Sequence, residues 1–150
     1  MAAKSAVPLF LSERRRAALR GVDSQGSGAF GASRGARKHR GVDFVAKPGV
    51  QLLSPVNGFV SKYGFPYHDI NKRKFRYVAI VDDAGDEHRF MYVSLPRGLT
   101  IGQRVEVGDL IGNVQNIAKL YDGMKNHVHY EIVRRSANSR VYVDPEKFWQ

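Results

Sequence analysis

The feature that most constrains this chain is a series of short strand-like segments separated by glycine and proline turns. Most of these segments alternate apolar and polar side chains and are rich in β-branched and aromatic residues, a pattern typical of half-buried strands. The predicted strands cover residues 42–45, 50–53, 58–63, 75–82, 87–95, 104–107, 110–114, 127–134 and 140–143. Strands so closely spaced leave no room for crossover helices, so an all-β, antiparallel fold is expected.

Two local features refine this prediction. Residues 75–81 and 88–94 flank the glycine-containing stretch Asp-Asp-Ala-Gly-Asp, which predicts a hairpin with a tight turn. One helical turn or a short helix is expected around residues 115–121. The 150-residue length fits about one domain with a hydrophobic core of its own.

The N-terminal part of the chain is strongly basic. Residues 1–40 hold nine Lys/Arg against two acids, a balance of +7, whereas residues 41–150 hold 15 against 12, a balance of +3. We interpret residues 1–28 as a basic arm and linker, with a short helix over 13–20 capped by Ser12 and a flexible joint at 24–28, and residues 29–150 as the domain. Such an arm suits nucleic acid, anionic wall polymers or an acidic protein partner, but a solvated or partner-docked tail is the more common case.

Composition excludes several kinds of site. The chain has no cysteine, so a disulfide framework, thiolate metal sites and a cysteine nucleophile are ruled out, and any metal must bind histidine and carboxylate. No apolar stretch approaches the roughly 18 residues of a membrane helix. The first residues are not expected to act as a signal peptide, because the apolar run 6–11 is short and contains a proline. No nucleic-acid-binding motif accompanies the basic arm, so nucleic acid is not an expected partner.

Two short patterns carry the candidate chemistry. The first is His39-Arg-Gly-Val-Asp43, and the second is His127-Val-His129. Side chains at positions i and i+2 of a strand project from the same face, so His127 and His129 should point at one spot. Histidine and carboxylate are ligands that suit zinc. Taken alone, a His-x-His pair is more often a surface feature of a strand, and the combination of both patterns is what favours a metal site.

These patterns resemble the lysostaphin-like (LytM-type) zinc metallopeptidases, which cut peptides in bacterial peptidoglycan. The stretches that carry the resemblance are residues 30–44, 47–60 and 102–112, the closing motif His-Val-His-Tyr-Glu-Ile at 127–132, and Val-Asp-Pro at 143–145. The resemblance covers about residues 29–149. It implies an antiparallel β-sandwich of the lysostaphin-like (duplicated hybrid motif) type.

The resemblance also implies the roles of individual residues. His39, Asp43 and His129 would bind one zinc ion, and His127 would contact the reacting water or the developing oxyanion. Glu131 shares strand parity with His127 and His129, so it could hold an imidazole in one tautomer, or it could be an unrelated charge at the strand end. The implied activity is hydrolysis of stem or cross-bridge peptides in peptidoglycan.

One position departs from the family pattern. A Tyr-x-His-Leu segment is usual in the family, whereas this chain has Tyr92-Val-Ser94-Leu95, so Ser94 stands at the place of a second catalytic histidine. A serine hydroxyl is a poor base near neutral pH. Two interpretations therefore stay open: a zinc endopeptidase in which Ser94 assists weakly, or a zinc-containing structural or wall-binding module of an assembly. The absence of a recognised signal suggests a phage virion or tail component, or release to the cell wall by lysis.

Overall fold

The structure, a computed structural model, describes residues 29–34, 37–118 and 123–149, together with four short strands nearer the N-terminus. Those four strands are Phe10–Leu11 (β1), Ala18–Leu19 (β2), Val22–Asp23 (β3) and Gly26–Ser27 (β4). The following strands are Ser33–Arg34 (β5), Arg37–Lys38 (β6), Val42–Val45 (β7), Gln51–Leu53 (β8), Gly58–Gly64 (β9), Tyr77–Asp82 (β10), Glu87–Met91 (β11), Val93–Ser94 (β12), Arg104–Val105 (β13), Leu110–Val114 (β14), His127–Ser136 (β15) and Ser139–Val143 (β16). A 3-10 turn at Ile70–Lys72 and the short helix α1 at Pro145–Phe148 are the helical elements of the described ranges.

The strands form two main antiparallel sheets. The larger sheet has the order β13-β9-β10-β11-β15-β7-β2, with β16 paired to the far end of β15. The smaller sheet has the order β1-β8-β14-β12, and two further ladders pair β3 with β4 and β5 with β6. The prediction of an all-β, antiparallel fold is confirmed, as is the hairpin of β10 and β11. Within the described residues, no helix has the length and hydropathy needed to cross a membrane.

The main hydrophobic core lies between the two sheets. It combines Phe44, Phe90 and Tyr130 of the larger sheet with Leu52 and Ile111 of the smaller one, and all five are fully buried. Complete burial of such a side chain contributes about 1.5–3 kcal/mol. Because alternate residues of a strand point to opposite faces, the residues between these core positions in the larger sheet project from its other face.

A row of directly paired residues crosses that other face. Asp43 on β7 pairs with His129 on β15, His129 with Met91 on β11, Met91 with Tyr77 on β10, and Tyr77 with Gly64 on β9. Side chains paired in this way have Cβ atoms about 4.5–5.5 Å apart. The spacing between Asp43 and His129 is therefore set by the hydrogen bonding of two adjacent strands, although the residues are far apart in sequence.

The strand predicted over 87–95 is interrupted at Tyr92, which adopts a φ of 69°. Its backbone N–H and that of Val93 both donate to the carbonyl oxygen of Arg76. The chain turns out of the larger sheet there, and Val93–Ser94 join the smaller sheet as β12. Composition could not indicate this break, since an aromatic residue in the left-handed region is rare.

The predicted helix over 13–20 is wrong at Ala18–Leu19, which form a strand on the outer edge of β7. The edge of β7 offers unpaired backbone groups, and pairing with β2 satisfies them. The rest of that predicted helix lies outside the described residues. Within the predicted joint 24–28, Gly26–Ser27 pair with β3. The division into an arm and a domain stays a prediction.

The helix predicted around 115–121 is wrong for its described part. The backbone N–H of Gln115 donates to the Tyr92 carbonyl oxygen, and that of Ile117 donates to the side chain of Asn126. These donors are used by neighbouring loops and not by a helical turn. Residues 119–122 lie outside the described residues.

Candidate metal centre

Three of the predicted site residues converge on the outer face of the larger sheet. Nε2 of His39 lies 2.9 Å from Nδ1 of His129 and 3.3 Å from Oδ1 of Asp43. Nδ1 of His129 is 2.9 Å from the same carboxylate oxygen. One ligand atom from each residue falls within a group no wider than 4.8 Å. The arrangement can hold a metal ion between two imidazoles and a carboxylate.

The second nitrogen of each clustered imidazole has its own partner. Nδ1 of His39 donates to the Ala29 carbonyl oxygen at 2.9 Å, and Nε2 of His129 donates to Oε1 of Glu131 at 2.9 Å. A hydrogen bond to one ring nitrogen fixes the tautomer and leaves the other nitrogen to act as a ligand. Of the two roles predicted for Glu131, the structure therefore favours the one in which it holds an imidazole in one tautomer.

Glu131 is itself held by a cation. Its Oε2 accepts a hydrogen bond from Nη1 of Arg89 at 3.3 Å, and Arg89 also donates to Glu87. Arg89 faces Glu131 directly across β11 and β15. Parity along β11 could have indicated this contact, whereas the backbone carbonyl of Ala29 gives no signal in the sequence.

His127 adjoins the cluster from the same strand as His129. Its Nδ1 donates to the Lys125 carbonyl oxygen at 2.8 Å, and its Nε2 lies 3.5 Å from Oδ2 of Asp43. The ring of Tyr92 meets the His127 ring edge to face, with centroids 5.4 Å apart. In the neutral imidazole, the Lys125 carbonyl fixes the proton on Nδ1, so Nε2 is the nitrogen that can accept a proton.

Ser94 is placed differently from these residues. Its hydroxyl donates to the carbonyl oxygen of Asn113 at 3.2 Å, across the pairing of β12 with β14 in the smaller sheet. The structure therefore brings His39, Asp43, His127 and His129 together and ties the Ser94 hydroxyl to backbone.

Burial and hydrogen bonding shift the acid–base equilibria of the cluster. Burial disfavours the charged His129 imidazole, but hydrogen bonds to Asp43 and Glu131 outweigh it and raise the pKa of His129 to about 9. Burial would raise the pKa of Asp43, but hydrogen bonds with His129 and His39 hold that pKa well below its usual range. Without a metal, the cluster is therefore an imidazolium between two carboxylates.

A pH dependence of stability follows for chelated protein. The pKa of His129 in the folded protein lies above the ordinary value of 6.5. The contribution of the protonated imidazole to folding stability is therefore complete below pH 6.5 and is lost as pH rises through about 9. We expect the free energy of unfolding to fall across this window, by up to about 1.4 kcal/mol per pH unit. Urea unfolding of wild type and His129→Gln checks this, and an equal slope in both proteins would contradict it.

Gly41 allows the first pattern to pack against the second. A Cβ added at Gly41 would stand 2.3 Å from the Tyr130 carbonyl oxygen and 2.9 Å from Cε1 of His129. The glycine in His-Arg-Gly-Val-Asp is therefore required by the close approach of the chain to β15.

We expect Gly41→Ala to lower the free energy of unfolding by about 1–3 kcal/mol, the usual cost of overpacking, and to weaken metal binding by displacing His129. Thermal unfolding and metal titration measure the two effects. Gly85→Ala is the comparison, because Gly85 has a φ of 94° with open space around it. That variant should be strained in its turn yet bind metal as wild type does, so equal loss of metal affinity in both would contradict the prediction.

Comparison with known proteins identifies relatives of this fold. The sequence profile of peptidase family M23 matches residues 37–145. Bovine (Bos taurus) leukocyte cell-derived chemotaxin-2 is 24% identical over 113 residues, which are 75% of this chain and 72% of that protein.

Solved structures show the same architecture. The catalytic domain of the antimicrobial peptidase lysostaphin from Staphylococcus simulans matches with a TM-score of 0.60 and 19% identity, over 85% of this chain and 90% of that domain. The longer lysostaphin chain matches with a TM-score of 0.63 and 20% identity, over 85% of this chain and 49% of that one. This chain thus spans about half the length of that lysostaphin chain, and the prediction of a lysostaphin-like fold is confirmed.

Proposed function

The chain belongs to peptidase family M23, and from this premise we propose that it is a zinc endopeptidase that hydrolyses peptide bonds in bacterial peptidoglycan. The observation that carries the proposal is the convergence of His39, Asp43 and His129 within 4.8 Å, with His127 beside them. The family likeness supports a peptidase, and the site geometry supports a metal-dependent one. The substrate follows from the resemblance to lysostaphin-like enzymes.

The donor set suits zinc. Two imidazole nitrogens and one carboxylate oxygen are ligands of catalytic zinc sites, which keep a further position open. Each imidazole has its remote nitrogen engaged by an acceptor, the kind of outer contact that orients metal ligands. When bound, zinc supplies Lewis acidity, polarising a peptide carbonyl and lowering the pKa of water toward about 7.

The protein's own groups then handle the proton. Nε2 of His127 faces the cluster while its Nδ1–H is anchored on the Lys125 carbonyl, so the ring is oriented before substrate arrives. We infer that Nε2 takes a proton from the attacking water and returns it to the leaving amine. A positioned general acid–base group of this kind contributes about 10²–10⁴-fold to the rate.

The test is release of new amino groups from purified peptidoglycan by zinc-loaded protein. Chelated protein and His129→Ala are the controls. Release that disappears in both controls supports the proposal. No release from protein shown to hold one zinc per chain would overturn the enzymatic proposal.

The alternative function is a zinc-containing structural or wall-binding module. The observation that favours it is the Ser94 hydroxyl, which is hydrogen-bonded to the Asn113 carbonyl in the smaller sheet. In this case the chain would retain the metal and bind wall peptides without turnover. Association with a virion and docking through residues 1–28 stay predictions.

Replacing Ser94 by histidine separates the two functions. If the rest of the centre is competent, we expect Ser94→His to raise turnover on peptidoglycan by at least about tenfold, because an imidazole can exchange protons near neutral pH. Turnover is measured at equal zinc content, with Ser94→Ala as the control. Unchanged turnover in Ser94→His would favour the binding module.

A further inference from the structure

Residues 65–76, the loop between β9 and β10, present a concentrated positive charge. Four cations occur within five residues, Lys72, Arg73, Lys74 and Arg76, and we call these four the basic ridge. Asp69 is the one acid of this loop, and its side chain caps the 3-10 turn by accepting a hydrogen bond from the Asn71 N–H. The loop therefore carries a local balance of +3, from four cations and one acid.

The ridge cations stand over aromatic rings. The guanidinium of Arg76 lies 3.6 Å from the Tyr63 ring centroid and 4.2 Å from that of Phe65, and Arg73 lies 5.3 Å from Phe65. In the same way, the ammonium groups of Lys72 and Lys74 lie 4.8 Å and 5.4 Å from the ring centroids of Tyr67 and Phe75. Cation–π contacts of this kind restrict the side chains. The contacts thus hold the cationic groups beside the rings.

Two exposed arginines outside this loop are paired with carboxylates. Arg104 makes two hydrogen bonds to the Asp83 carboxylate, and Arg134 makes two to Asp86. By contrast, no ion pair of the described residues involves the exposed side chains of Arg73 or Lys74. Arg76 is half-buried, and its guanidinium donates hydrogen bonds to the carbonyl oxygens of Tyr63 and Gly64. An exposed cation that is ordered but unpaired is ready to meet an external anion.

A chain of ring contacts connects the ridge to the candidate metal centre. Lys72 stands over Tyr67, whose hydroxyl is hydrogen-bonded to the hydroxyl of Tyr92. The Tyr92 ring in turn packs edge to face on His127. These three contacts place the ridge on the His127 side of the candidate metal centre.

The nature of the ridge favours carboxylates over nucleobases. Phe75 is 1% exposed, and Tyr67, Phe75 and Tyr92 pack on one another in a small apolar cluster. Nucleic-acid surfaces of this type stack bases on free ring faces, whereas Tyr67, Phe75 and Tyr92 pack on one another. Guanidinium groups suit carboxylates, which the acidic peptides of peptidoglycan carry.

We propose that the basic ridge binds carboxylates of the peptidoglycan peptide beside the bond that is cleaved. This rests on the proposed function, since it takes the substrate from that proposal. The ridge would hold the acidic part of the peptide while the neighbouring bond lies at the candidate metal centre.

The experiment compares Arg73→Gln/Lys74→Gln with Arg104→Gln/Lys147→Gln. Each pair removes one exposed arginine and one exposed lysine, and the second pair lies away from the loop. Co-sedimentation of the full, zinc-loaded chain, in a His127→Ala background to stop turnover, measures binding to purified peptidoglycan. Peptidoglycan whose carboxyl groups have been amidated serves as the second substrate. We expect the ridge pair to weaken binding to native peptidoglycan about 3- to 30-fold and to have no effect on amidated peptidoglycan.

Several results would overturn the proposal. Equal losses in both pairs would mean that net charge alone matters, and a loss that persists on amidated peptidoglycan would mean that carboxylates are not the ligand. Weaker binding of a single-stranded DNA oligonucleotide with unchanged binding of peptidoglycan would make the ridge a nucleic-acid surface. Since binding is read without turnover, an inactive protein that still shows the carboxylate-dependent loss would overturn the proposed activity and leave the ridge standing.

Discussion

Asp43→Asn is expected to cost the protein most of its metal affinity and much of its stability. Asp43 is 2% exposed, accepts hydrogen bonds at one oxygen and faces His127 with the other. The amide removes the anionic ligand, so zinc affinity should fall by more than about 100-fold. Loss of a residue that only hydrogen-bonds to a metal ligand costs at most about 100-fold. Removing one member of a buried charge pair also costs about 3–5 kcal/mol in the metal-free protein.

Zinc competition titration and urea unfolding measure these two effects. Asp83→Asn is the matched control, because Asp83 is an exposed carboxylate paired with Arg104. Loss of this solvent-exposed pair should leave both the stability and the zinc affinity close to those of wild type. Stoichiometric, tight zinc binding by Asp43→Asn would show that the metal is held elsewhere.

His127→Ala is expected to separate catalysis from metal binding. His127 is not one of the three candidate metal ligands, and its Nε2 lies 3.5 Å from Oδ2 of Asp43. The variant should keep one zinc per chain while kcat on peptidoglycan falls by about 10²–10⁴-fold, the loss typical of a general acid–base group. Zinc content and amino-group release are measured on the same samples.

The control for this variant is His68→Ala. His68 is exposed in the loop between β9 and β10, so its removal tests the effect of losing a histidine without touching the centre. A loss of zinc in His127→Ala would contradict the separation of roles. Turnover equal to that of wild type would show that another group handles the proton.

Much of the site could be predicted because it follows from strand periodicity. His127 and His129 share a face, as their spacing of two requires, and β7 begins and ends where the apolar alternation of 42–45 predicted. The contact between Glu131 and His129 follows from the same rule. These features depend on local geometry, which the order of residues determines directly.

Other features depend on contacts between distant segments, and these could not be predicted. The break at Tyr92 depends on hydrogen bonds with the carbonyl of Arg76, and it moves Ser94 from the larger sheet to the smaller one. The strand at Ala18–Leu19 depends on the open edge of β7 and not on its own composition. Backbone partners such as the Ala29 carbonyl leave no trace in residue type.

The row of paired residues across the larger sheet has a consequence for how such a protein can change. Asp43 and His129 owe their spacing to a backbone ladder, which tolerates substitution of neighbouring side chains. The loop that carries the basic ridge borders this row but takes no part in the ladder. Under the proposed function, insertions in that loop would change which polymer is bound and leave the spacing of Asp43 and His129 intact. In this architecture the strands determine the geometry of the metal site and a loop carries the proposed binding surface, so the two can evolve separately.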